Sequence, residues 1–243
     1  MRKIFSMIMV ALVALFVTSS CKLENGNNPD PDRANNLLWW EVNNSIHQHY
    51  DIFIAVAFLN DTMLEKSTVY DGYRLSEEMG ADNIYTISYS DYGKLYRIKT
   101  DGKRLDEGGE WSIYLRLSNY EEYMKLGVVK GIVGESSKFN LLIEYNATPY
   151  YYINYTAESE MEYEYDKVRE CLCVKYNTFK GVTWDASSPN DYAINFEVVE
   201  PLVLYTSIET GKINILYKDL VDSTSRQLSV VINNKITTFA TPN

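Results

Sequence analysis

The sequence predicts a mainly β protein: an antiparallel β sandwich or rolled sheet with one amphipathic N-terminal helix packed on it. A single long segment, residues 36–59, has the apolar spacing of an α-helix. From about residue 67 onward the apolar period changes to two, which is typical of strands. Many short strands are joined by turns, and parallel pairing would need crossover helices that this sequence lacks, so antiparallel pairing is expected.

The helix is predicted from a stripe of apolar side chains three and four positions apart. They are Leu38, Val42, Ile46, Phe53 and Ala57. Asn35 or Asn36 is expected to cap its start, and Asn60-Asp61 to end it. Residues 52–59 are apolar on every side, so this half of the helix is expected to be buried against a sheet.

Thirteen short segments with strand character follow the helix. They are 84–89, 95–99, 111–117, 128–133, 139–145, 150–156, 161–165, 168–176, 193–199, 202–205, 213–217, 228–232 and 236–239. Asp101-Gly102 is the strongest hairpin signal between them. The stretch 177–191 contains Gly181, Pro189 and several small polar residues, and is expected to form a loop.

The first 21 residues have the pattern of a cleavable export signal. Arg2 and Lys3 precede an apolar run from Ile4 to Val17, and Thr18-Ser19-Ser20-Cys21 follows. The run spans 14 residues, whereas a membrane-crossing helix needs about 20. We therefore expect this segment to direct secretion and then to be removed.

Thr18-Ser19-Ser20-Cys21 resembles the lipobox of bacterial lipoproteins, in the relaxed form found in Bacteroidota-type lipoproteins. Thr18 stands where Leu or Val is usual, and Ser20 where Gly or Ala is usual. The resemblance implies cleavage before Cys21, a diacylglycerol on its thiol, and attachment to the outer membrane at the cell surface or the periplasmic face. The alternative is an ordinary secretory signal that happens to precede a cysteine.

Three parts of the chain are expected. Residues 1–20 form the lipoprotein signal peptide, residues 21–35 the lipidated cysteine and a flexible tether, and residues 36–243 a single β-rich domain. The tether is predicted because residues 25–32 are polar and their prolines keep the chain extended. The alternative is a boundary near residues 145–149 that gives two β modules.

The charge of the mature chain argues against two classes of partner. Removing Arg2 and Lys3 leaves 21 basic and 33 acidic residues, a net charge of −12. Such a chain repels phosphate backbones, so no nucleic-acid partner is expected. It also lacks the basic surface that anionic lipid headgroups attract, so membrane attachment is expected through the lipid anchor alone.

No metal or cofactor site is expected from the cysteines and histidines. Cys171 and Cys173 would share one face of a strand, either as a strained redox pair or half of a metal site, or, as we favour, as two small buried apolar residues. His47 and His49 are two positions apart in the helix and point in nearly opposite directions, so they do not share a metal.

Carboxylates alternate with apolar residues along one predicted strand. The carboxylates are Glu160, Glu162, Glu164 and Asp166, and the apolar residues Met161, Tyr163 and Tyr165. A cation site is one interpretation. Same-face residues lie roughly 7 Å apart, too far for one ion to bind more than two of them. A solvated face that discourages edge-to-edge aggregation is therefore favoured.

We expect no catalytic residues. The sequence contains no Gly-x-Ser-x-Gly motif and no glycine-rich phosphate loop. Trp184 and Tyr151 are the candidate ligand-binding residues, because exposed aromatic rings stack on sugars. The alternative for Trp184 is that its ring plugs the end of the β structure. The expected function is a lipid-anchored, non-catalytic envelope module that binds a glycan or a protein. The alternatives are an assembly subunit and a carboxylate-dependent glycan hydrolase.

Overall fold

The structure is a computed structural model that describes residues 31–60, 84–88, 94–100, 103–117, 122–145, 153–169, 171–185, 189–205 and 207–240. The chain divides into two compact units, residues 1–37 and 38–243. The described part of the first unit is the beginning of a helix. The second unit contains the rest of that helix and all the strands.

One helix and eleven strands make up the described chain. The helix α1 is Pro31–Asn60. The strands are β1 Ile84–Ser88, β2 Lys94–Thr100, β3 Glu110–Leu117, β4 Met124–Ile132, β5 Glu135–Tyr145, β6 Ile153–Asp166, β7 Cys171–Asp185, β8 Tyr192–Leu204, β9 Ile208–Asp219, β10 Ser225–Asn233 and β11 Ile236–Ala240. A single 3₁₀ turn, Leu105–Glu107, precedes β3. The predicted mainly β fold with one N-terminal helix is confirmed.

The strands form one antiparallel sheet in which each strand pairs with its neighbours in the sequence, from β1 to β11. Hydrogen bonding is continuous in this order, as in a rolled sheet, and does not divide the strands into two separately bonded sheets. Strands β5 and β6 pair from Lys138–Glu162 to Tyr145–Tyr155. The chain on both sides of residues 145–149 therefore belongs to the same sheet.

Helix α1 begins earlier than the sequence suggested. Its first residue is Pro31, whereas a cap at Asn35 or Asn36 was expected. Proline is well suited to the first turn of a helix because its fixed φ is helical and the missing N–H would have no partner in that turn. The polar residues after Pro31 do not interrupt the helix.

The strands β6, β7 and β8 are longer than the segments predicted from the sequence. The loop expected over 177–191 was wrong in its first half, because β7 continues to Asp185. The pairing of β7 with β8 shifts register between Tyr176 and Lys180, where the sequence suggested that a loop begins. Strand β8 likewise continues through Pro201, at a register shift between Glu200 and Val203, as expected for a proline inside a sheet.

The core lies between α1 and one face of the sheet. Phe53 of the helix stacks on Phe139 at 5.6 Å between ring centroids and meets Tyr163 edge-on at 5.7 Å. One turn earlier, the His49 ring meets Phe179 edge-on at 4.8 Å. Each such aromatic pair adds about 1 kcal/mol to the gain from burial itself. The expected burial of residues 52–59 against the sheet is confirmed for Ile52, Phe53, Ile54, Val56 and Ala57, which are at most 2% exposed.

Side chains alternate between the two sides of the sheet, so every second residue of these strands points away from the helix. We call that side the outer face. In β6 the helix-facing residues Tyr155, Ala157 and Met161 are buried, whereas Glu158 and Glu160 on the outer face are exposed. Within the described residues, no helix is both long and apolar enough to cross a membrane.

Candidate ligand-binding groove

A groove with a volume of about 560 Å³ crosses the outer face from β5 to β10. We call it the outer groove. Its floor consists of two parallel cross-strand rows of side chains. The charged row is Leu142, Glu158, Lys180, Glu197 and Asn214, and the uncharged row is Thr156, Val182, Asn195, Leu216 and Gln227. The volume is within the range of small-molecule sites, roughly 300–1,000 Å³.

The two rows result from strand register. Each residue of a row lies directly opposite the next one on the neighbouring strand, as Glu158 does to Lys180 and Lys180 to Glu197. Opposite residues in an antiparallel pair project from the same side of the sheet, with their Cβ atoms about 5 Å apart. Residues from six strands therefore meet in one groove, although Leu142 and Gln227 are far apart in the sequence.

The lysine of the charged row is held between two carboxylates. Lys180 Nζ forms an ion pair with Glu158 Oε1 at 2.7 Å. The hydrogen bond and the charge of Glu158, together with the charge of Glu197, raise the pKa of Lys180. With two carboxylates and one ammonium among its lining residues, the outer groove has a net charge of −1 and offers no uncompensated positive charge to an anion.

The charged row ends at an oriented amide. Ser229 Oγ donates a hydrogen bond to Asn214 Oδ1 at 2.6 Å, and Ser229 is itself buried on the outer face opposite Asn214. The amide oxygen is thus occupied by a protein donor. The Nδ2 group of Asn214 is left as a hydrogen-bond donor at the groove.

The uncharged row alternates polar and apolar side chains. Asn195 lies between Val182 and Leu216, and Gln227 follows Leu216. Asn195 and Leu216 are half-buried and Gln227 is exposed. Each carboxamide offers both a donor and an acceptor, and the aliphatic side chains between them form an apolar surface on which a ligand can lie.

Trp184 is in strand β7 and not in a loop. It pairs with Asn154 and projects from the outer face, where it is half-buried. With Glu144 and Lys125 it lines an adjoining cavity of about 370 Å³, and Thr156 lines both this cavity and the outer groove. The structure thus brings Trp184 next to the groove. Tyr151, the other candidate residue, lies outside the described residues.

The acidic strand has the alternation predicted from the sequence. Met161 and Tyr163 of β6 are buried, and Glu160, Glu162 and Glu164, which alternate with them, lie on the outer face. Glu162 forms an ion pair with Lys175 at 2.8 Å and approaches Lys138 at 3.9 Å. The hydrogen bond from Lys175 lowers the pKa of Glu162. Within the described residues, no group of three metal-ligating side chains is close enough to hold an ion.

The two cysteines of β7 are free thiols on the outer face. Cys173 is buried and Cys171 half-buried. Burial raises the pKa of both thiols, and nearby carboxylates raise it further. The protonated, weakly nucleophilic form is therefore favoured.

His49 is completely enclosed by aromatic rings beneath the helix. Its Nε2 lies 2.8 Å from Ser159 Oγ, and Ser159 Oγ donates to the Leu141 carbonyl at 3.4 Å. This arrangement makes Nε2 the donor and leaves Nδ1 buried without a partner. Burial lowers the pKa of His49 to about 3, so the ring is neutral. It has no access to solvent and serves the packing of helix on sheet.

A buried carboxyl group lies earlier in the helix. Tyr192 Oη donates to both Glu41 oxygens, at 3.0 and 3.1 Å. Burial and, to a smaller extent, the charge of Asp185 raise the pKa of Glu41 to about 7, although the hydrogen bond from Tyr192 acts to lower it. Nothing in the sequence marks this group, because a glutamate in an amphipathic helix is usually solvated.

None of the residues that line the outer groove was identified from the sequence, whereas Trp184, which was, lines the adjoining cavity. In the sequence, the groove residues are marked only by their outward positions in the strands. Asn195 and Gln227 share such positions with ordinary surface residues. Comparison with known proteins adds no further assignment, because the chain matches no protein-family model, no curated protein and no solved structure.

Proposed function

We propose that this protein is a lipid-anchored protein of the bacterial outer membrane that binds a ligand in the outer groove without transforming it. The observation that carries the binding role is the groove itself, in which two registered rows of side chains from six strands form one polar and apolar surface. The signal and Cys21, through their resemblance to lipoproteins, support the membrane anchor.

Fixed polar groups support a binding role for this surface. Lys180 is paired with Glu158, and the Asn214 amide is oriented by Ser229. Because the Ser229 hydrogen bond orients the Asn214 amide before any ligand arrives, less ordering entropy is lost on binding there.

The membrane anchor is tested by fractionation of cells that produce the wild-type chain or Cys21→Ala. The wild-type chain is expected in the membrane fraction, with a mass increase at its N-terminus that corresponds to a diacylglycerol. The Cys21→Ala chain, which has no thiol to modify, is expected in the soluble fraction. A Cys21→Ala chain that stays in the membrane contradicts the anchor.

The binding role is tested by blocking the groove. Val182 lies in the uncharged row between Thr156 and Asn195, so Val182→Arg places a long cationic side chain in the groove. The full lipoprotein, purified in detergent, is titrated calorimetrically with polysaccharide and envelope-peptide panels. We expect a ligand that binds the wild-type protein and not Val182→Arg, with circular dichroism showing that the variant is folded. If no ligand binds, or every ligand binds both proteins equally, the proposal is wrong.

A glycan hydrolase is a second candidate, because Glu158 and Glu197 lie in the groove on either side of Lys180. Their Cα atoms are about 10 Å apart, since two strand spacings separate them, and inverting glycosidases use carboxyl groups roughly 6.5–9.5 Å apart. Release of reducing sugar by the wild-type protein, and its loss in Glu197→Gln, would favour this candidate over binding alone.

A further inference from the structure

We infer that the ligand of the outer groove is an uncharged carbohydrate chain that lies across strands β5 to β10, with one end beside Trp184. This inference rests on the proposed binding function and names the chemical class of the ligand. It follows from the charge, the hydrogen-bonding groups and the shape of the groove.

The charge of the groove disfavours anionic ligands. Glu158 and Glu197 flank Lys180, and the ion pair with Glu158 offsets the charge of the ammonium group. A phosphate, sulfate or uronate in the groove would meet two carboxylates and a single ammonium group, whose charge Glu158 already offsets. An uncharged ligand meets no such repulsion.

The hydrogen-bonding groups suit hydroxyls. The carboxamides of Asn195, Asn214 and Gln227 line the groove within three neighbouring strands. A sugar hydroxyl both donates and accepts, and a carboxamide offers a donor and an acceptor side by side. Glu197 adds a charged acceptor, which makes stronger hydrogen bonds with hydroxyl donors than a neutral acceptor does.

The apolar part of the groove suits the C–H groups on the faces of a sugar ring. Val182 and Leu216 alternate with the carboxamides along the uncharged row, so a ligand there meets aliphatic and polar contacts in turn. A pyranose ring has C–H groups on its faces and hydroxyls at its rim. The half-buried Trp184 continues this surface into the adjoining cavity.

The length of the groove favours a chain over a single sugar. Six strands contribute to it, and with a spacing of about 4.8 Å between strands the outermost two are roughly 24 Å apart. Affinity is therefore expected to rise with the number of sugar units until the groove is filled. A monosaccharide would occupy only part of either row.

Affinity electrophoresis and calorimetry on the full lipoprotein test this inference. The detergent must have no sugar headgroup. The panel contains neutral polysaccharides (starch, mannan, xyloglucan and mixed-linkage β-glucan), the anionic polymers heparin and polygalacturonate, and oligosaccharides of increasing length from any polymer that binds. We expect retardation by a neutral polymer, none by the anionic ones, and affinity that increases with chain length.

Matched asparagine variants locate the contacts. Asn195→Ala and Gln227→Ala are each expected to weaken binding about tenfold, as the loss of a hydrogen bond does. Asn140→Ala is the control, because Asn140 is exposed on the outer face of β5 and lies outside the groove. It is expected to bind as the wild-type protein does. Equal losses in Asn140→Ala and Asn195→Ala would overturn the placement of the ligand.

The outcomes separate this inference from the proposed function. Val182→Arg could abolish the binding of a ligand that proves to be an anionic polymer or a peptide. That result overturns the carbohydrate assignment and leaves the groove as a binding site. A neutral polysaccharide that binds Val182→Arg unchanged overturns both, as does the absence of any ligand. Loss of binding in Trp184→Ala, against retention in Asn140→Ala, supports the position of the chain end.

Discussion

Replacing a buried carboxyl group by an amide should stabilise this protein at alkaline pH. Glu41 has a pKa raised from its ordinary value of 4.5 to about 7. The folded state therefore binds this proton more tightly than the unfolded state, and the unfolding free energy falls as the pH rises from 4.5 to 7. A rise of this size corresponds to roughly 3 kcal/mol, lost in full above pH 7.

Glu41→Gln removes the charge and keeps an oxygen that can accept the hydrogen bond from Tyr192. At pH 4 the carboxyl group is protonated in both states, so the variant and the wild-type protein should have similar unfolding free energies. At pH 8 the wild-type protein carries a buried carboxylate near Asp185. There the variant should be more stable, by about 2–3 kcal/mol.

Urea unfolding followed by tryptophan fluorescence at pH 4, 6 and 8 measures this difference, with the slope on urea concentration checked for constancy. Glu160→Gln is the control, because Glu160 is exposed on the outer face of β6. It should change the unfolding free energy by less than about 0.5 kcal/mol at any of the three pH values. If Glu41→Gln is less stable than the wild-type protein at pH 8, the hydrogen bonds from Tyr192 outweigh desolvation and the reasoning fails.

Four further substitutions act on the core and on the turns beside it. His49 has a pKa lowered to about 3. Between pH 6.5 and 5 the unfolded state gains a proton that the folded state does not, so the wild-type protein should lose about 2 kcal/mol more than His49→Gln in urea titrations. Gly131→Ala places a Cβ inside the backbone of the 3₁₀ turn and should cost about 3 kcal/mol, whereas Gly134→Ala, which only strains a positive φ of 83°, should cost about 1 kcal/mol in thermal denaturation. Phe179→Ala removes a ring that packs on His49, and should cost about 3–5 kcal/mol by the same measurement.

The class of the fold follows from the sequence because periodicity depends only on near neighbours. Spacing of three and four predicted α1, and spacing of two predicted the strands. The extent of β7 does not follow, because Gly181 and Pro189 look like loop residues. Gly181 is in fact a strand residue where a side chain would overlap Thr156 and Phe196. Only the packing of neighbouring strands shows that glycine is required there by close approach and not by a turn.

The groove could not be predicted from the sequence, for a related reason. Each of its residues is an ordinary outward position in its own strand, and only register brings Lys180, Glu197 and Asn214 into one row. Register depends on hydrogen bonds between strands and on bulges such as that between Tyr176 and Lys180. Trp184 was singled out for its chemistry, which is independent of fold, although its loop location was wrong.

The charged row also helps to set the register on which the groove depends. A slip of one residue between β6 and β7 would turn one member of each of the Glu158–Lys180 and Glu162–Lys175 pairs toward the helix and leave its partner on the outer face. The charge that faces the helix would be unpaired, which is strongly disfavoured. These ion pairs therefore favour the observed pairing over its nearest alternative. Substitutions at Glu158 or Lys180 would change stability and binding together. Asn195 and Gln227, which form no ion pair, report on the ligand alone, because the helix-facing core and the charged row keep the strands in place without them.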